Sequence, residues 1–490
     1  MTIHIKKELC FPSKIQTYVM FFWGSKMLVV GFVLTMLVFL GIGLLSMKES
    51  KDEVSDYLVA GRNISPISAG LSAVASNNSG FMFIGAIGFT YQYGLSAFWL
   101  LFAWIAGDYL SWFVVHKRLR IQSEKNQSNS IAGFLAFETD TKESNRNLQI
   151  ILGILTVLFL TLYAAAQLKA GGKALHSMLG WSPTSGVFLG MFMVALYSFS
   201  GGIRASIWTD IAQSFVMIFA MAVLVFVCHV KIIPIPEIIS QLKNIDRHLI
   251  EWTPSDATLG LPLYALGWFL AGFGGIGQPH IIIRAMTLDH PQNIATMRRT
   301  YFVWYVLFSI FVFLVGLYAR LYFEQHSDLL FDKETALPIL AAHTLPTFLV
   351  GVILAALFAA TMSTADSQVL ASSASITQDI WTKNKDNYRL SKFSTIGVVV
   401  IAGGIAFVGP DSVFVLVTIA WGLMMTCFAP LMIVRVYQWN IQWQMFLLAF
   451  GLGLTAMLSW TYIWGLGDSV FDGSVGFLVA SFLVFVLSKK

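Results

Sequence analysis

Two long apolar segments of this chain are interrupted near their middles, at corresponding places in its two halves. The first, 70–88, contains the polar run SNNSG, and the second, 267–279, contains FGGIGQ. Inside a bilayer every backbone N–H and C=O needs a protein partner, so irregular chain occurs there only where it is buried or lines a cavity. Paired interruptions of this kind indicate the binding site of a transporter. The alternative, that glycine and serine only allow close helix packing, explains one segment better than it explains the pair.

Composition places the chain among polytopic membrane proteins. Hydrophobic residues make up 57% and charged residues 12% of the 490 residues, and the mean hydropathy is +0.72. These values exclude a soluble fold. The three cysteines, Cys10, Cys228 and Cys427, are scattered and lack metal-ligand spacing, so neither a disulfide framework nor a zinc site is expected. The net charge of +5 lies in short loops, and we expect no nucleic-acid partner.

Apolar windows long enough to cross about 30 Å of hydrocarbon predict an all-α protein with about thirteen transmembrane helices. They cover 27–47, 66–92, 95–115, 148–168, 183–200, 207–230, 259–283, 301–323, 346–376, 393–409, 412–434, 443–463 and 474–488. Residues 1–26 form a polar N-terminal tail that lacks the features of a signal peptide. Translation from either Met1 or Met27 is compatible with this pattern.

Helices two to six and helices seven to eleven each begin with an interrupted span. This predicts a five-helix unit that occurs twice, as 66–230 and 259–434, with opposite orientations because five is odd. Helix 27–47 and the two C-terminal helices of 435–490 stand outside this core. An odd number of crossings puts the termini on opposite sides. Most of the 31 basic residues face inward if the N-terminus is outside, so we predict a cytoplasmic C-terminus and a plasma (inner) membrane location.

Two oxygen-rich stretches suggest a cation site, one in the first interruption and one in the ninth helix. A dehydrated cation needs several oxygens, which a helix supplies from hydroxyls or from carbonyls freed where it unwinds. Ser363 and Thr364 share one helical face with Ala360. Set against freed carbonyls of Ala75 and Asn78, they could complete a sodium site. Alternatively, the hydroxyls only bond back to their own helix.

Three carboxylates lie within or at the ends of predicted spans, where a charge costs about 2.5 to 3.5 kcal/mol on insertion scales. Asp108 has no base within a helical turn, so it should face the interior, to pair with a distant cation, take up a proton or join the coupling site. Asp366, one turn after Ser363, either adds negative charge near the cation or reaches inner water. Asp210 opens the sixth helix, where capping the helix dipole is a sufficient role.

Five motifs occur in the order GRNISP, SNNSG, SGGIRASIWTDIAQ, GQPHIIIRAM and FAATMSTADSQVLASSASITQD. With this order and spacing the chain, from about Met27 onward, resembles the sodium:solute symporter family, most closely its sodium/proline branch. The resemblance implies a LeuT-like core of two inverted repeats that holds sodium and solute at mid-membrane. It also implies that Asp210 assists coupling and that the sodium ligands are Ala75, Asn78, Ala360, Ser363 and Thr364.

The departures from that branch concern the solute. The branch usually has Asp where this chain has Asn77, although the similar sugar-carrying branch has Asn there. The branch has a Trp after the first interruption, and a Trp and a Tyr just before GQPH. This chain has Phe81, Ala271 and Gly275 at these positions, whereas Tyr163 is kept. A wider cavity and a solute larger than proline are therefore expected. The predicted solute-binding residues are Asn77, Ser79, Phe81, Tyr163, Trp268, Gly275 and Gln278.

These features predict sodium-coupled import of a small polar organic solute such as an amino acid, with sodium as coupling ion and no other cofactor. One alternative is proton coupling through Asp108 or Asp366. Another is a solute-sensing receptor on the same scaffold, which the absence of an output domain after the thirteenth helix argues against. We expect no enzyme activity, since the sequence shows neither a nucleophile–base pair nor a metal cluster. The solute itself stays open at this point.

Overall fold

The computed structural model describes residues 13–49, 51–138, 140–254, 257–326, 332–409, 412–467 and 470–488, which are mostly helical. The α-helices are α1 (Ser13–Ser46), α2 (Val54–Val59), α3 (Pro66–Asn77), α4 (Ile87–Tyr93), α5 (Trp104–Val114), α6 (His116–Lys125), α7 (Ile131–Ala136), α8 (Arg146–Leu179), α9 (Pro183–Lys231), α10 (Ile238–Ile245), α11 (Leu261–Phe273), α12 (Pro279–Thr287), α13 (Ile294–Gln325), α14 (Ala336–Thr344), α15 (Thr347–Ala374), α16 (Tyr388–Val408), α17 (Val413–Val436), α18 (Trp443–Tyr462) and α19 (Asp472–Leu487). Strands β1 (Phe137–Glu138) and β2 (Glu143–Ser144) form a small antiparallel hairpin.

Shorter helical segments of two kinds extend or connect these helices. The π-helical segments are Met82–Ala86, Trp99–Ala103 and Ser375–Ile380. The 3-10 segments are Met47–Glu49, Ala60–Arg62, Gly94–Ser96, Ile235–Glu237, Arg247–Ile250, Gly274–Gly277, Pro291–Asn293, Lys333–Thr335 and Thr382–Asn384.

Eight described helices are long and apolar enough to cross a membrane: Lys26–Ser46, Arg146–Leu179, Gly201–Lys231, Pro291–Gln325, Thr347–Ile380, Tyr388–Val408, Val413–Val436 and Trp443–Tyr462. Two bent pairs reach that length only together, Met82–Ser96 with Trp99–Val114 at 110° and Leu261–Gly277 with Pro279–Thr287 at 54°. Pro183–Leu196 and Asp472–Leu487 are shorter apolar helices. A polytopic helical architecture is thus confirmed, and the number of thirteen crossings stays a prediction.

The first helix begins earlier than the predicted boundary at residue 27. Helix α1 starts at Ser13, but its apolar section of membrane-spanning length is Lys26–Ser46, close to the predicted 27–47. The first twelve residues of the predicted tail lie outside the described residues.

Both predicted interruptions are present. Helix α3 ends at Asn77, and Asn78 leaves the helical region (φ −84°, ψ 74°) before helix resumes at Gly80. In the second half, α11 ends at Phe273, a 3-10 turn follows, and Gln278 is extended (φ −102°, ψ 94°). Pro at the first position of α12 suits this break, because that position has no intrahelical N–H bond to lose.

Helix α9 joins two predicted helices, 183–200 and 207–230, across one non-helical residue. Gly202 has φ 58° and ψ −143°, and a side chain there would meet the backbone and ring of Tyr57, so only glycine fits. The second section therefore starts near Gly201, which places Asp210 in its third turn. The expectation that Asp210 opens and caps this helix is wrong.

Helix α15 lies at the centre of the molecule. Its residues 353–374 are all buried, and it packs against α1, α8, α9 and α16. Large apolar side chains such as Val303 (71% exposed) and Phe226 (66%) face outward instead. The hydroxyls of α15 therefore face protein.

The connections contain small elements. The segment after α9 carries the one surface helix expected there, α10. The segment between α5 and α8 contains α6, α7 and the β1–β2 hairpin, none of which was predicted.

Candidate functional site

The first interruption and α15 meet through main-chain oxygens and hydroxyls. The Ser363 hydroxyl donates to the carbonyl oxygen of Ala75 over 3.0 Å and to that of Ala360 over 3.1 Å. The Thr364 hydroxyl donates to the carbonyl oxygen of Ser76 over 3.0 Å. All five residues are fully buried. The alternative that these hydroxyls bond only to their own helix is thus wrong. The hydrogen bonds of Ser363 join three of the five predicted sodium ligands, and a fourth, Thr364, contacts Ser76, the residue after Ala75.

Asn78, the fifth predicted ligand, follows directly in the interruption. Its side-chain oxygen and nitrogen are buried without a hydrogen-bond partner in the described chain. A buried polar group without a partner is costly. Carbonyl, hydroxyl and amide oxygens are the ligand type that hard cations prefer, so these residues fit a small cation.

A second contact connects the same two elements one turn further along. The hydroxyls of Ser76 and Ser367 are 2.9 Å apart, and Ser367 also donates to the carbonyl oxygen of Ser363 over 2.7 Å. Ser367 in turn accepts from the guanidinium of Arg284 over 2.6 Å. The candidate cation site is therefore connected by hydrogen bonds to a buried charge.

Arg284, on α12, is completely buried among two carboxylates and several serines. It lies 3.4 Å from a carboxylate oxygen of Asp210 and donates to the hydroxyls of Ser72 over 3.1 Å and Ser206 over 2.8 Å. Sequence reasoning missed its role. The available signal was a single arginine inside the apolar run of GQPHIIIRAM, because ionisable residues within spans are rare and functional.

Asp210 and Asp366 belong to this network. Asp210 accepts from Ser72 over 2.6 Å, and Asp366 accepts from Ser206 over 3.0 Å and Ser367 over 3.1 Å. Asp366 is 1% exposed, so it faces the bundle and not inner water. Arg284 thus pairs directly with Asp210 and is linked to Asp366 through the hydroxyls of Ser206 and Ser367.

Asp108 lies in a different place, beside the second interruption. It accepts from the Tyr301 hydroxyl over 2.7 Å and the Ser111 hydroxyl over 3.2 Å, and none of the described salt bridges includes it. A Cβ atom at Gly275 would lie 3.5 Å from its carboxylate. The structure thus groups Asp210 with Asp366 and separates Asp108 from them.

Four predicted solute-binding residues line one central cavity of about 20 Å³. They are Asn77, Ser79, Phe81 and Tyr163, and the cavity wall also includes Trp104, Tyr305 and Trp421, which sequence reasoning missed. This volume suits about one water molecule.

The expected wider cavity is not formed in this conformation, because a tryptophan occupies the space. The indole N–H of Trp421 donates to the carbonyl oxygen of Ala271 over 2.9 Å, and its ring would lie 4.0 Å from a Cβ atom at Gly275. The two small residues therefore make room for Trp421. Gln278 is also buried and donates to the carbonyl oxygen of Trp421 over 3.2 Å.

Trp268 lines a second, larger cavity of about 240 Å³, together with Tyr264, Phe414 and Phe471. The rings of Trp104 and Trp268 are stacked with centroids 6.0 Å apart. Since Trp104 lines the central cavity, this aromatic pair stands between the two cavities. The structure thus places Trp268 apart from the other predicted solute contacts.

Comparison with known proteins agrees with this architecture. A family model described as sodium:solute symporter family matches residues 57–444. Sodium/proline symporter 2 of Staphylococcus saprophyticus is 30% identical over 413 residues, covering 82% of this chain and 79% of the relative. The high-affinity proline transporter PutP of Bacillus subtilis is 27% identical over 455 residues, covering 91% and 94%.

Two solved structures share the fold. A Na+-coupled sialic acid symporter in a substrate-bound, outward-open state superposes with a TM-score of 0.78 at 18% identity, covering 95% of this chain and 99% of the other. The nucleobase-cation-symport-1 transporter Mhp1 gives a TM-score of 0.56 at 12% identity, covering 88% and 93%. At these identities the likeness concerns the fold alone. With the family model matching most of its length, this chain belongs to the sodium:solute symporter family and is an integral membrane transporter.

Proposed function

We propose that this protein imports an amino acid or a similar small polar solute together with sodium. The observation that carries the proposal is the contact of the Ser363 and Thr364 hydroxyls with main-chain oxygens of the interrupted α3. One charge crossing 100 mV releases about 2.3 kcal/mol, and about 1.4 kcal/mol corresponds to a tenfold ratio. One sodium ion per solute would thus support roughly fortyfold accumulation.

The proposed sodium ligands are the oxygens of Ala75, Asn78, Ala360, Ser363 and Thr364. When sodium binds, the two hydroxyls would turn their hydrogens away from the carbonyls they now contact and offer lone pairs to the ion. The carbonyl oxygens, no longer accepting these hydrogen bonds, would then be free to coordinate the ion as well. The ion would therefore replace hydrogen bonds that already hold the two helices together. After the ion leaves, α3 and α15 would either form these hydrogen bonds again or move apart.

The proposed architecture is thirteen crossings with two inverted five-helix repeats, 66–230 and 259–434. The two interruptions and the fold shared with the sialic acid symporter support it. We further propose an outer N-terminus and a cytoplasmic C-terminus, as the distribution of basic residues favours. Alternating access would then come from movement of one repeat against the other around a fixed site.

The amino-acid class is supported by the central cavity and by the named relatives, which are proline transporters. The second half of the broken span starts at Gly80, and helix N-termini favour carboxylates. Aromatic walls from Tyr163 and Trp104 would hold the apolar part of the solute. Opening of Trp421 would be needed to admit it, since the cavity of this conformation is too small.

Proton coupling is a second candidate, favoured by one observation. Asp108 is buried with hydroxyl partners and without a described salt bridge, an arrangement that accommodates a neutral carboxyl group. Its position beside Gly275 puts it next to the second interruption. Protonation there would change the contacts of the second repeat, which we propose to move during transport.

Uptake by the purified protein in proteoliposomes tests both candidates. A panel of labelled amino acids, sugars and organic acids is offered with an inward sodium gradient alone or an inward proton gradient alone. We expect accumulation of at least one amino acid with sodium alone. Uptake that follows the proton gradient and ignores sodium would replace the first proposal with the second.

A further inference from the structure

A polar cavity of about 360 Å³ lies away from the transport site, at the end of α17. Its walls come from the last turn of α6, from α7, from the β1–β2 hairpin and from the turn after α17. By the proposed orientation this is the cytoplasmic side, at the level where a span meets the lipid headgroups.

The charged residues that line this cavity are all basic. They are Lys125, Lys142 and Arg435, and amides of Gln122, Asn126, Gln127 and Gln438 complete the polar wall, whereas none of its described lining residues is acidic. Glu138 and Asp140 lie near Arg435 but not in the wall. The lining side chains therefore supply three cationic groups and four amides, which can donate as well as accept hydrogen bonds.

Arg435 is held in place yet has an unused donor. It is 3% exposed, and its guanidinium donates to the carbonyl oxygen of Leu135 over 2.8 Å and to the side chain of Asn440 over 2.7 Å. Its second terminal nitrogen, Nη2, is buried without a hydrogen-bond partner in the described chain. A buried guanidinium N–H pair normally finds an acceptor, and forked donors suit planar or tetrahedral oxyanions.

Three residues that line the cavity have a strained, left-handed backbone conformation. Gln127, Lys142 and Gln438 have φ values of 51°, 56° and 62°, and the described chain has only two other non-glycine residues with positive φ. Such conformations cost energy and persist where the surroundings fix them, often at binding sites. Here they direct three separate connections toward one cavity.

We propose that this cavity binds an oxyanion of the phosphate type, with Arg435 at its base and Lys125 and Lys142 at its rim. The same phosphate chemistry is offered by the headgroup of an anionic lipid and by a free phosphate-bearing solute. This cavity is separate from the sodium and solute sites, so the proposal does not depend on the proposed transport function.

Two probes and two pairs of lysine substitutions test this site in the full-length protein. Retention of phosphatidylglycerol is measured by native mass spectrometry from detergent, and inorganic phosphate binding by isothermal titration at constant ionic strength. Lys125→Gln with Lys142→Gln removes the rim charges at exposed positions, where folding should be unaffected. Lys383→Gln with Lys385→Gln removes two exposed lysines elsewhere on the same proposed side and serves as the matched control.

We expect the rim pair to weaken at least one probe roughly tenfold or more while the control pair leaves it unchanged. Loss of lipid retention alone identifies a headgroup, and loss of phosphate binding alone identifies a soluble ligand. Arg435→Lys, checked for folding by its melting temperature, should weaken the same probe. If the wild-type protein binds neither probe, or if the rim and control pairs behave alike, the site does not exist.

Discussion

The Ser363 hydroxyl lies 3.0 Å from the main-chain oxygen of Ala75, although 288 residues separate them along the chain. The oxygen is available because α3 stops two residues later, at Asn77. The hydroxyl faces this oxygen because residues 353–374 of α15 are buried against the rest of the protein. One contact therefore links the two halves of the chain at the proposed sodium site, and any motion that separates these helices must break it.

Thr364→Ala should weaken the dependence of uptake on sodium without unfolding the protein. The substitution removes one proposed ligand, and a hydrogen bond to a charged group contributes about 1.5–3 kcal/mol, so the half-saturating sodium concentration should rise roughly 10- to 100-fold. Sodium titration of uptake measures it. Thr156→Ala is the matched control, since the Thr156 hydroxyl is buried but bonds back to its own helix at Leu152. Equal sodium dependence in both variants would remove α15 from the site.

Arg284→Gln should destabilise the protein strongly, because it leaves Asp210 and Asp366 buried without a cation. Breaking one side of a buried charge network costs about 3–5 kcal/mol. Adding Asp210→Asn to that variant should restore part of the loss. Melting temperatures in detergent measure the effect, and Arg320→Gln provides the control, because Arg320 pairs with a half-exposed Glu324 and such pairs contribute about 1 kcal/mol or less. A purely additive double variant would contradict the network.

Substitutions of Gly275 should separate transport from folding. Alanine fits, since its Cβ atom would lie 3.5 Å from Asp108 and 4.0 Å from Trp421. Leucine would extend into the space that Trp421 fills, so it should lower stability by about 1–3 kcal/mol and displace that ring. We expect at least a tenfold rise in the solute KM, while the increase in melting temperature on sodium addition is kept. Gly397→Leu is the control, because nothing lies within 4 Å of a Cβ atom there. Normal uptake by the leucine variant at position 275 would place the solute elsewhere.

Asp108→Asn distinguishes the two coupling candidates. The amide oxygen can still accept from Tyr301, which now donates over 2.7 Å, so the variant should fold. If sodium drives transport, uptake under a sodium gradient should fall less than tenfold and keep its dependence on pH. Abolished uptake together with a lost pH dependence would assign the coupling proton to this carboxyl group. Ser111→Ala, which removes the weaker 3.2 Å partner, should change neither property.

Much of the site followed from the sequence because chain interruptions in apolar segments leave few physical options. The polar run SNNSG and the glycines before Gln278 had to be buried, and the structure shows both breaks at those positions. The hydroxyls of Ser363 and Thr364 were predicted to meet the first break, and they do. Helical periodicity and the absence of water inside a bilayer were sufficient for these inferences.

The sequence does not show in the same way which side chains fill the space around the site. Small residues at Ala271 and Gly275 suggested a wider cavity, but Trp421 from a distant helix occupies that space. Asp210 looked like a helix cap because the restart of α9 depends on the conformation of one residue, Gly202. The glycine pair Gly201–Gly202 is visible in the sequence, but the position of Trp421 and the direct restart of helix after Gly202 depend on contacts with distant residues.

The sequence by itself determined the membrane class, the two breaks and the hydroxyl and carbonyl groups that meet at the first break, because backbone groups in hydrocarbon must be satisfied within the protein. Only the tertiary structure decided that Arg284 joins Asp210 to Ser367, and that Trp268 lines a different cavity from Tyr163. These relationships depend on how separate helices pack, and packing is set by contacts between residues far apart in the chain.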